Sequence, residues 1–287
     1  HLVDEEVYQI GVKRMVGWKD GADWFGNRYD PAGFSAVVLE GSYGFVPVIG
    51  HRGLIWVVLE AEGASAHAST PELGHNAVVG LSKAIVASKD PVAKTRFTEP
   101  FVSDDYLGEM TVAPGTTFAG GDIETVDAET RSVKRSGLNS VPDWAEATYD
   151  FRIPRWKGFP EGVDTITDLV CERVEAVATN AAPDTEFTAH VPEENYFPPV
   201  ALADSECAAR SHPLVKTGRQ AAESTLGYTP HVDIAPGVTD AAFLYHGTRI
   251  PTLVEYGPAG GLSHEPLEYV EQDQVIAGAK TMLEFTV

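Results

Sequence analysis

The stretch HLVDEEVYQIG at residues 1–11 sets three carboxylates side by side, Asp4, Glu5 and Glu6. Adjacent glutamates at the end of an element can point different ways. One then binds a metal ion while the other hydrogen-bonds a water on that ion. Acids are 42 of the 287 residues, so about one such triplet arises by chance, and a solvated surface accounts for it equally well. The chemical reading needs partners. His264, in GLSHEPLEYV (261–270), follows an apolar run and the Gly-rich turn YGPAGG. Turns at the C-terminal ends of strands are where α/β sheets place ligands, although a lone loop histidine is often only surface. His67, in GASAHASTPELGHNAV (63–78), sits among small residues that let backbone and ligand approach closely. The same pattern suits a solvent-facing residue on a tight turn. Asn139 and Arg152 stand in LNSVPDWAEATYDFR (138–152). Arg152 falls mid-strand, where its fork could hold a carboxylate in a bidentate pair, or pair with Asp150 or Glu146 instead.

Those residues need a scaffold. FSAVVLEG (34–41) reads as a short buried strand ending in a turn, and GHRGLIWVVLEAEG (50–63) as a longer strand rich in β-branched and aromatic residues. Residues 76–90 have helical periodicity with Asn76 as N-cap. Residues 91–115 read as irregular. Strands are expected over 116–135 and 145–154, a helix over 162–180 with Val163, Ile166, Val170, Val174 and Val177 on one face, and an alternating strand over 184–197. The middle of the chain is therefore β-α-β-β-α-β, the order of a ferredoxin-like split βαβ unit. Further on come a helix over 212–228, a buried strand over 251–260 and a helix over 270–287. The fold class is α/β, with one α/β layer built from both ends of the chain and the split unit inserted between them.

Bulk properties narrow the classes. Apolar residues make up 43% of the chain, enough for a core and too many for disorder. A formal charge of −21 repels nucleic acid and anionic membrane, so no nucleic-acid or membrane partner is expected. No apolar run reaches the length of a membrane span. Cys171 and Cys207 are too few and too distant for a disulfide framework or a thiolate zinc site, which points to a reducing, cytoplasmic setting. Trp18, Trp24 and Phe25 lie near the acids in sequence and could line an aromatic pocket or fill the core.

Taken in order, DEE (4–6), LEGSYG (39–44), GHRG with GASAHASTPELGHNAV (50–78), LNSVPDWAEATYDFR (138–152), GVTDAAFL (237–244) and YGPAGGLSHEPLEYV (256–270) resemble the dinuclear-metal aminoacylase and carboxypeptidase family. That family includes acetylornithine deacetylase, succinyl-diaminopimelate desuccinylase and glutamate carboxypeptidase. Each piece is weak alone; six in the right order are specific. The resemblance implies a catalytic α/β domain over 1–47 and 197–287 and an inserted lid and dimerisation domain over 48–196. It implies that Glu5 is the general base, Glu6 a metal ligand and His264 a ligand to the second metal. His67 becomes the residue that stabilises the oxyanion, Asn139 and Arg152 bind the substrate carboxylate, and Gly237 and Thr239 belong to a pocket loop. The implied cofactor is a divalent metal, two ions of zinc, manganese or cobalt. The implied reaction is hydrolysis of an amide or related C–N bond in a small carboxylate-bearing substrate, in a homodimer joined through the lid.

The sequence departs from the family pattern twice. The family begins well upstream, with a His-x-Asp motif and a bridging Asp, so the expected partners include a missing N-terminal fragment of the same protein, and the fragment alone is expected to be inactive. The family's Asp that precedes the Glu of its EP or EG turn, here Glu40, is replaced by Phe34, with Ser35 beside it. His1, His51 and Asp30 are the available stand-ins. Two alternatives stay open: an arylamine-type aminohydrolase on the same scaffold, and a non-catalytic dimerising relative that has lost the metal site.

Overall fold

The computed structural model describes residues 9–18, 25–89, 104–119, 123–127, 132–135, 138–155, 163–192, 196–262 and 266–286. In chain order the elements are helix α1 (Ile10–Val16), strands β1 (Ala36–Val37), β2 (Val48–His51) and β3 (Gly53–Glu62), and helix α2 (Ala77–Ala87). Strands β4 (Thr111–Ala119), β5 (Ile123–Asp127), β6 (Ser132–Arg135) and β7 (Trp144–Ile153) follow, then helix α3 (Val163–Ala181). Next come strands β8 (Glu186–His190), β9 (Tyr196–Phe197) and β10 (Val200–Ala201), and helices α4 (Glu206–Arg210) and α5 (Pro213–Leu226). The chain ends with strand β11 (Asp233–Ala235), helix α6 (Ala241–Thr248), strands β12 (Thr252–Leu253), β13 (Gly260–Gly261) and β14 (Tyr269–Val270), and helix α7 (Gln272–Thr286).

Period-two patterning builds the larger sheet. β3 and β7 pair antiparallel along their whole length, from Gly53 opposite Ile153 to Glu62 opposite Trp144. β4 lies outside β7 and β8 outside β3, both antiparallel. The order is β4-β7-β3-β8, with β9 continuing on β3. Counted along the chain, these four main strands stand 2-3-1-4, with one helix after the first and one after the third, which is the split βαβ arrangement read from the sequence. Ile55, Val57, Leu59 and Ala61 of β3 and Ala145, Ala147, Tyr149, Phe151 and Ile153 of β7 are all buried on one face. α3 covers that face with the expected stripe of Ile166, Val170, Val174 and Val177. α2 covers the rest, and the Asn76 side chain caps it by accepting from the Val78 and Val79 amides. The opposite face keeps polar and half-buried side chains, Trp56, Asp150 and Arg152 among them.

The other sheets are small. β2 lies between β10, antiparallel, and β11, parallel. β1 and β12 form a parallel pair. A bridge from Val48 to Glu255 ties the segment after β12 to β2. α1 packs on α6, and α5 on α7.

Three expectations shift. The strand over 34–41 shrinks to two residues, as does the one over 251–260; past them Val38 still bonds Leu253 and Tyr256, and Val48 bonds Val254 and Glu255, as single links and not a continued ladder. β4 begins at Thr111, inside the stretch read as irregular. Pro114 concealed it: proline removes a ladder donor and is tolerated at an edge strand or bulge, and the β4–β7 register does shift between Pro114 and Thr117. α6, which starts inside the GVTDAAFL motif, is an element for which the sequence carried no expectation. Among the described residues no helix is long and apolar enough to cross a membrane.

Ile166 is fully buried, so Ile166→Ala should lower unfolding stability by about 2–5 kcal/mol. Glu172→Ala, on the exposed side of the same helix, should change it by less than about 0.5 kcal/mol. Urea midpoints of the two variants check this, and equal losses would place the helix face wrongly.

Candidate functional site

A cavity of about 1130 Å³ opens where the uncovered end of the larger sheet meets the small sheets. Its walls come from segments far apart in the chain. Gln9 contributes from the start of α1, Leu39 to Tyr43 from the loop after β1, Arg152 and Trp56 from β7 and β3, Gly237 to Thr239 from the loop before α6, and Leu262 and Glu268 from the β13–β14 connection. Residues of five of the six motif segments singled out in the sequence therefore line one space, and Gln9, which also lines it, stands three residues along the chain from the DEE triplet.

A backbone lock holds two of them together. The Ser42 hydroxyl accepts from the Gly257 amide at 2.8 Å and lies 3.3 Å from the Gly257 carbonyl, which also accepts from the Phe45 amide at 2.7 Å. A Cβ on Gly257 would stand 2.2 Å from the Glu40 carbonyl oxygen, so only glycine permits this approach. On the far side of the loop, the Tyr228 hydroxyl donates to the Gly44 carbonyl. The lock brings Glu40 to the cavity beside Glu255, and Asp233 of β11 lies close by. Burial pushes the Glu255 carboxyl up to about 7, and the nearby charges of Glu40 and Asp233 push it the same way.

Backbone strain gathers at the same place. Among the described non-glycine residues, φ is positive at Gln9 (48°), Tyr43 (55°), Phe45 (60°), Arg249 (60°) and Leu262 (60°). Gln9, Tyr43 and Leu262 line the cavity, and Phe45 follows the lining loop. Left-handed backbone at such residues costs on the order of 1–3 kcal/mol each and persists only where the surroundings impose it.

Arg152 reaches the cavity, but Asp150 also holds it. Nε lies 2.6 Å from one Asp150 oxygen and Nη2 lies 2.9 Å from the other. The Trp56 indole donates to the same carboxylate at 3.0 Å. The Nε side of the guanidinium is thus occupied, which leaves the end bearing Nη1 for a ligand. Arg152 is thus paired with its neighbour and also lines the cavity.

Thr239 also lines the cavity, but its hydroxyl donates to the Val254 carbonyl at 2.9 Å and lies 3.3 Å from the Ala241 amide. It fixes the loop at the start of α6. Gly237 borders open space.

His67 and Asn139 lie elsewhere. They meet each other, with the Ala68 amide donating to the Asn139 carbonyl at 2.8 Å and His67 bridged to Ser140. Their position is beyond Glu62, whereas Arg152 pairs with Leu54. At about 3.3 Å per residue this separates them from Arg152 by roughly 25 Å along β3. The Ser69 amide donates to Nδ1 of His67 at 3.2 Å, so in the neutral ring the proton sits on Nε2, which is free to donate outward from this exposed turn. Within one chain, Asn139 and Arg152 do not share a ligand.

Glu5, Glu6 and His264 lie outside the described residues, as does the stand-in His1. His51 is fully buried in β2 with Nδ1 against the Arg52 carbonyl at 2.8 Å, and burial pushes its pKa down to about 4; it is not among the cavity residues. Asp30 caps the short turn at 31–33 by accepting from the Ala32 amide. Phe34 is 44% exposed and sits edge-on to Phe25 and Tyr29, with ring centroids 5.5 and 5.7 Å away. Trp18 packs edge-on to Phe243 in the core, and Trp24 lies outside the described residues. Among the described residues no group of three or more His, Cys, Asp or Glu side chains is arranged to hold a metal ion.

The sequence pattern of peptidase family M20/M25/M40 matches residues 1–286. The chain belongs to peptidase family M20/M25/M40. A probable carboxypeptidase of Aspergillus clavatus is 32% identical over 152 residues, covering 50% of this chain and 32% of that protein. One from Paracoccidioides lutzii is 26% identical over 209 residues, covering 70% and 42%. The M20-family chain thus spans between a third and a half of the length of these relatives. Among solved structures, a tripeptidase of Staphylococcus aureus superposes with a TM-score of 0.60 at 19% identity, covering 88% of this chain and 56% of that one. A di-peptidase of Saccharomyces cerevisiae superposes with 0.62 at 11% identity, covering 96% and 60%. At such identities the superpositions speak for the M20 fold.

Two outcomes follow for this M20-family site. Gly257→Ala should cost about 2–4 kcal/mol, because the added methyl meets backbone that cannot yield, whereas Gly237→Ala should leave the urea midpoint unchanged. The Glu255 carboxyl keeps its proton more readily in the folded chain than at its ordinary value of 4.5. Its contribution to stability is full below about pH 4.5 and is lost as pH rises through about 7. Glu255→Gln should therefore gain stability over the parent at pH 8, by at most about 3 kcal/mol, and gain nothing at pH 4. A difference of equal size at both pH values would contradict the burial of this carboxyl.

Proposed function

We propose that the protein is a metal-dependent hydrolase of an amide or related C–N bond in a small, carboxylate-bearing substrate. The supporting observation is the convergence of Gln9, Glu40, Arg152, Gly237, Leu262 and Glu268 on one cavity. The acidic triplet and His264 belong to the same motif segments as Gln9 and as Leu262 and Glu268. Peptidases of this family are typically dinuclear-metal enzymes. In this proposal Glu6 and His264 are ligands and the remaining donors come from outside this chain. Glu5 takes a proton from the attacking water as its oxygen bonds to the carbonyl carbon; the C–N bond then breaks and the proton passes to the departing nitrogen, giving an acid and an amine. The Nη1 end of Arg152 receives the substrate carboxylate.

His67 and Asn139 act, in the same proposal, in the site of a second copy. The larger sheet with α2 and α3 then serves as lid and dimerisation domain over 48–196, and the remainder as the catalytic domain. Support comes from the roughly 25 Å between these residues and Arg152, and from Leu73 and Leu138 beside them, 76% and 79% exposed. Phe34, in the place of the family's Asp, favours a second reading, a dimerising relative without catalysis.

The experiment is a screen of N-acyl amino acids, dipeptides and arylamine substrates with zinc, manganese or cobalt, using the full-length protein and Glu5→Ala. Metal-dependent hydrolysis lost in Glu5→Ala with bound metal retained is the expected result. No hydrolysis by either form would favour the non-catalytic reading. The 1–287 polypeptide alone should not turn over, and metal-dependent activity in it would contradict the need for further ligands.

A further inference from the structure

Two short links join the small sheet built on β2 to the larger sheet. β2 runs into β3 through Arg52 alone, and β9 runs into β10 through Pro198 and Pro199. The links lie side by side. Val200 of β10 pairs with His51 of β2, and Phe197 of β9 pairs with Leu54 of β3. A Cβ on Gly53 would stand 2.7 Å from the Phe197 carbonyl oxygen and 2.9 Å from Cδ of Pro199, so the two stretches of backbone are in direct contact.

Each link has a carbonyl held by a histidine ring. Nδ1 of His51 donates to the Arg52 carbonyl at 2.8 Å, and Nε2 of His246, on α6, donates to the Pro199 carbonyl at 2.8 Å. A carbonyl only accepts, so these ring nitrogens carry the proton and the neutral rings have bare nitrogens on their other sides. The surroundings are dry. His51 is fully buried, and Val48, Leu54, Phe197, Val200 and Phe243, drawn from both sides of the junction, form one apolar cluster. The charged groups that act on His51 are His246 and Arg152 of β7, and the one that acts on His246 is Arg249 at the end of α6. All of them oppose added positive charge, although Asp150 is engaged with Arg152. The Tyr245 ring stands edge-on to His246, with centroids 5.2 Å apart. Burial accordingly pushes His51 down to about 4 and lowers His246 as well. One buried histidine on a carbonyl is an ordinary core residue. Two of them, one on each link and close enough to repel when charged, put the whole junction under the control of protons.

We propose that His51 and His246 form an acid-released clasp on the junction between the two sheets: neutral, they hold both links closed, and protonated, they favour a conformation in which the rings reach water and the links part. A ring that leaves the junction regains its ordinary affinity for protons, so acid favours the parted form. The clasp is at full strength above about pH 6.5 and weakens as pH falls toward about 4, by up to about tenfold per pH unit for His51. Arg152 stands opposite Leu54, two residues past the first link, so parting shifts the guanidinium relative to the cavity floor. The clasp does not depend on the hydrolase reading.

Hydrogen exchange read by mass spectrometry on the full-length protein tests it, with rates corrected for the intrinsic pH dependence of amide exchange. Peptides over 48–56 and 196–202 should lose about tenfold or more of their protection between pH 7 and pH 5, while a peptide over 166–178 of α3 keeps its own. In the double variant His51→Gln with His246→Gln, whose side-chain amides donate but take up no proton, link protection should agree at the two pH values within about twofold. Circular dichroism confirms that the variant folds. Imidazole resonances of the parent protein give a second measurement that needs no variant: both rings should gain protons over the same pH range in which the links lose protection. Link protection unchanged in the parent, an equal loss in α3, the same loss in the double variant, or ring protonation that leaves the links protected would each overturn the clasp. A flat exchange profile would leave the hydrolase reading standing, and a failed hydrolysis screen would leave the clasp standing.

Discussion

The reciprocal hydrogen bonding between Ser42 and Gly257 is the contact on which the site depends. It joins a loop near the start of the chain to a strand end more than two hundred residues later. Through it Glu40 approaches Glu255, the hairpin carrying Leu262 and Tyr269 stands beside Tyr43, and the backbone of Tyr43 to Phe45 is held in the left-handed region. Without a glycine at 257 the Glu40 carbonyl has no room, and the two segments separate.

The electrostatics of the cavity follow from that closeness. Glu40, Asp233, Asp240, Glu255 and Glu268 line it, and Arg152 is the cation among the described lining residues. Asp150 already offsets part of the Arg152 charge. Carboxylates brought this close without matching cations repel one another, and Glu255, partly buried beside Glu40 and Asp233, relieves the repulsion by holding its proton toward neutrality. The pair formed by Asp150 and Arg152, with Trp56 bracing the carboxylate, fixes the direction in which the guanidinium presents its remaining donors.

Much of this was legible in the chain. Alternation over β3 and β7 and the 3.6-residue stripe on α3 are strong because both elements bury one whole face, so the pattern has little freedom. The order of the split unit followed from them. Short parallel strands were not legible in their extent, since two-residue β1 and β12 have no room to show a period. Pro114 concealed the start of β4 for a local reason, and only the sheet edge excuses it. Arg152, Gly237 and Thr239, singled out by motif, line the cavity, whereas Leu39, Tyr43 and Tyr269, which line it too, were not singled out, because they look like ordinary hydrophobic residues in the sequence. Glu255 was hidden likewise: a glutamate at a strand end has no sequence mark of burial. The separation of Asn139 from Arg152 depends on pairing register along β3, which sequence adjacency does not disclose.

The length of β3 also sets a mechanical ratio. Arg52 joins β2 to β3, and Arg152 lies two residues along from it, opposite Leu54. The turn bearing His67 lies past the far end of the same rigid strand. For a pivot at Arg52, a swing of about ten degrees would sweep the far end of β3 through an arc of about 6 Å, while the backbone opposite Leu54 would travel only about 1 Å. Distance along one strand thus fixes how unequally any such swing would be shared between the guanidinium and the histidine turn.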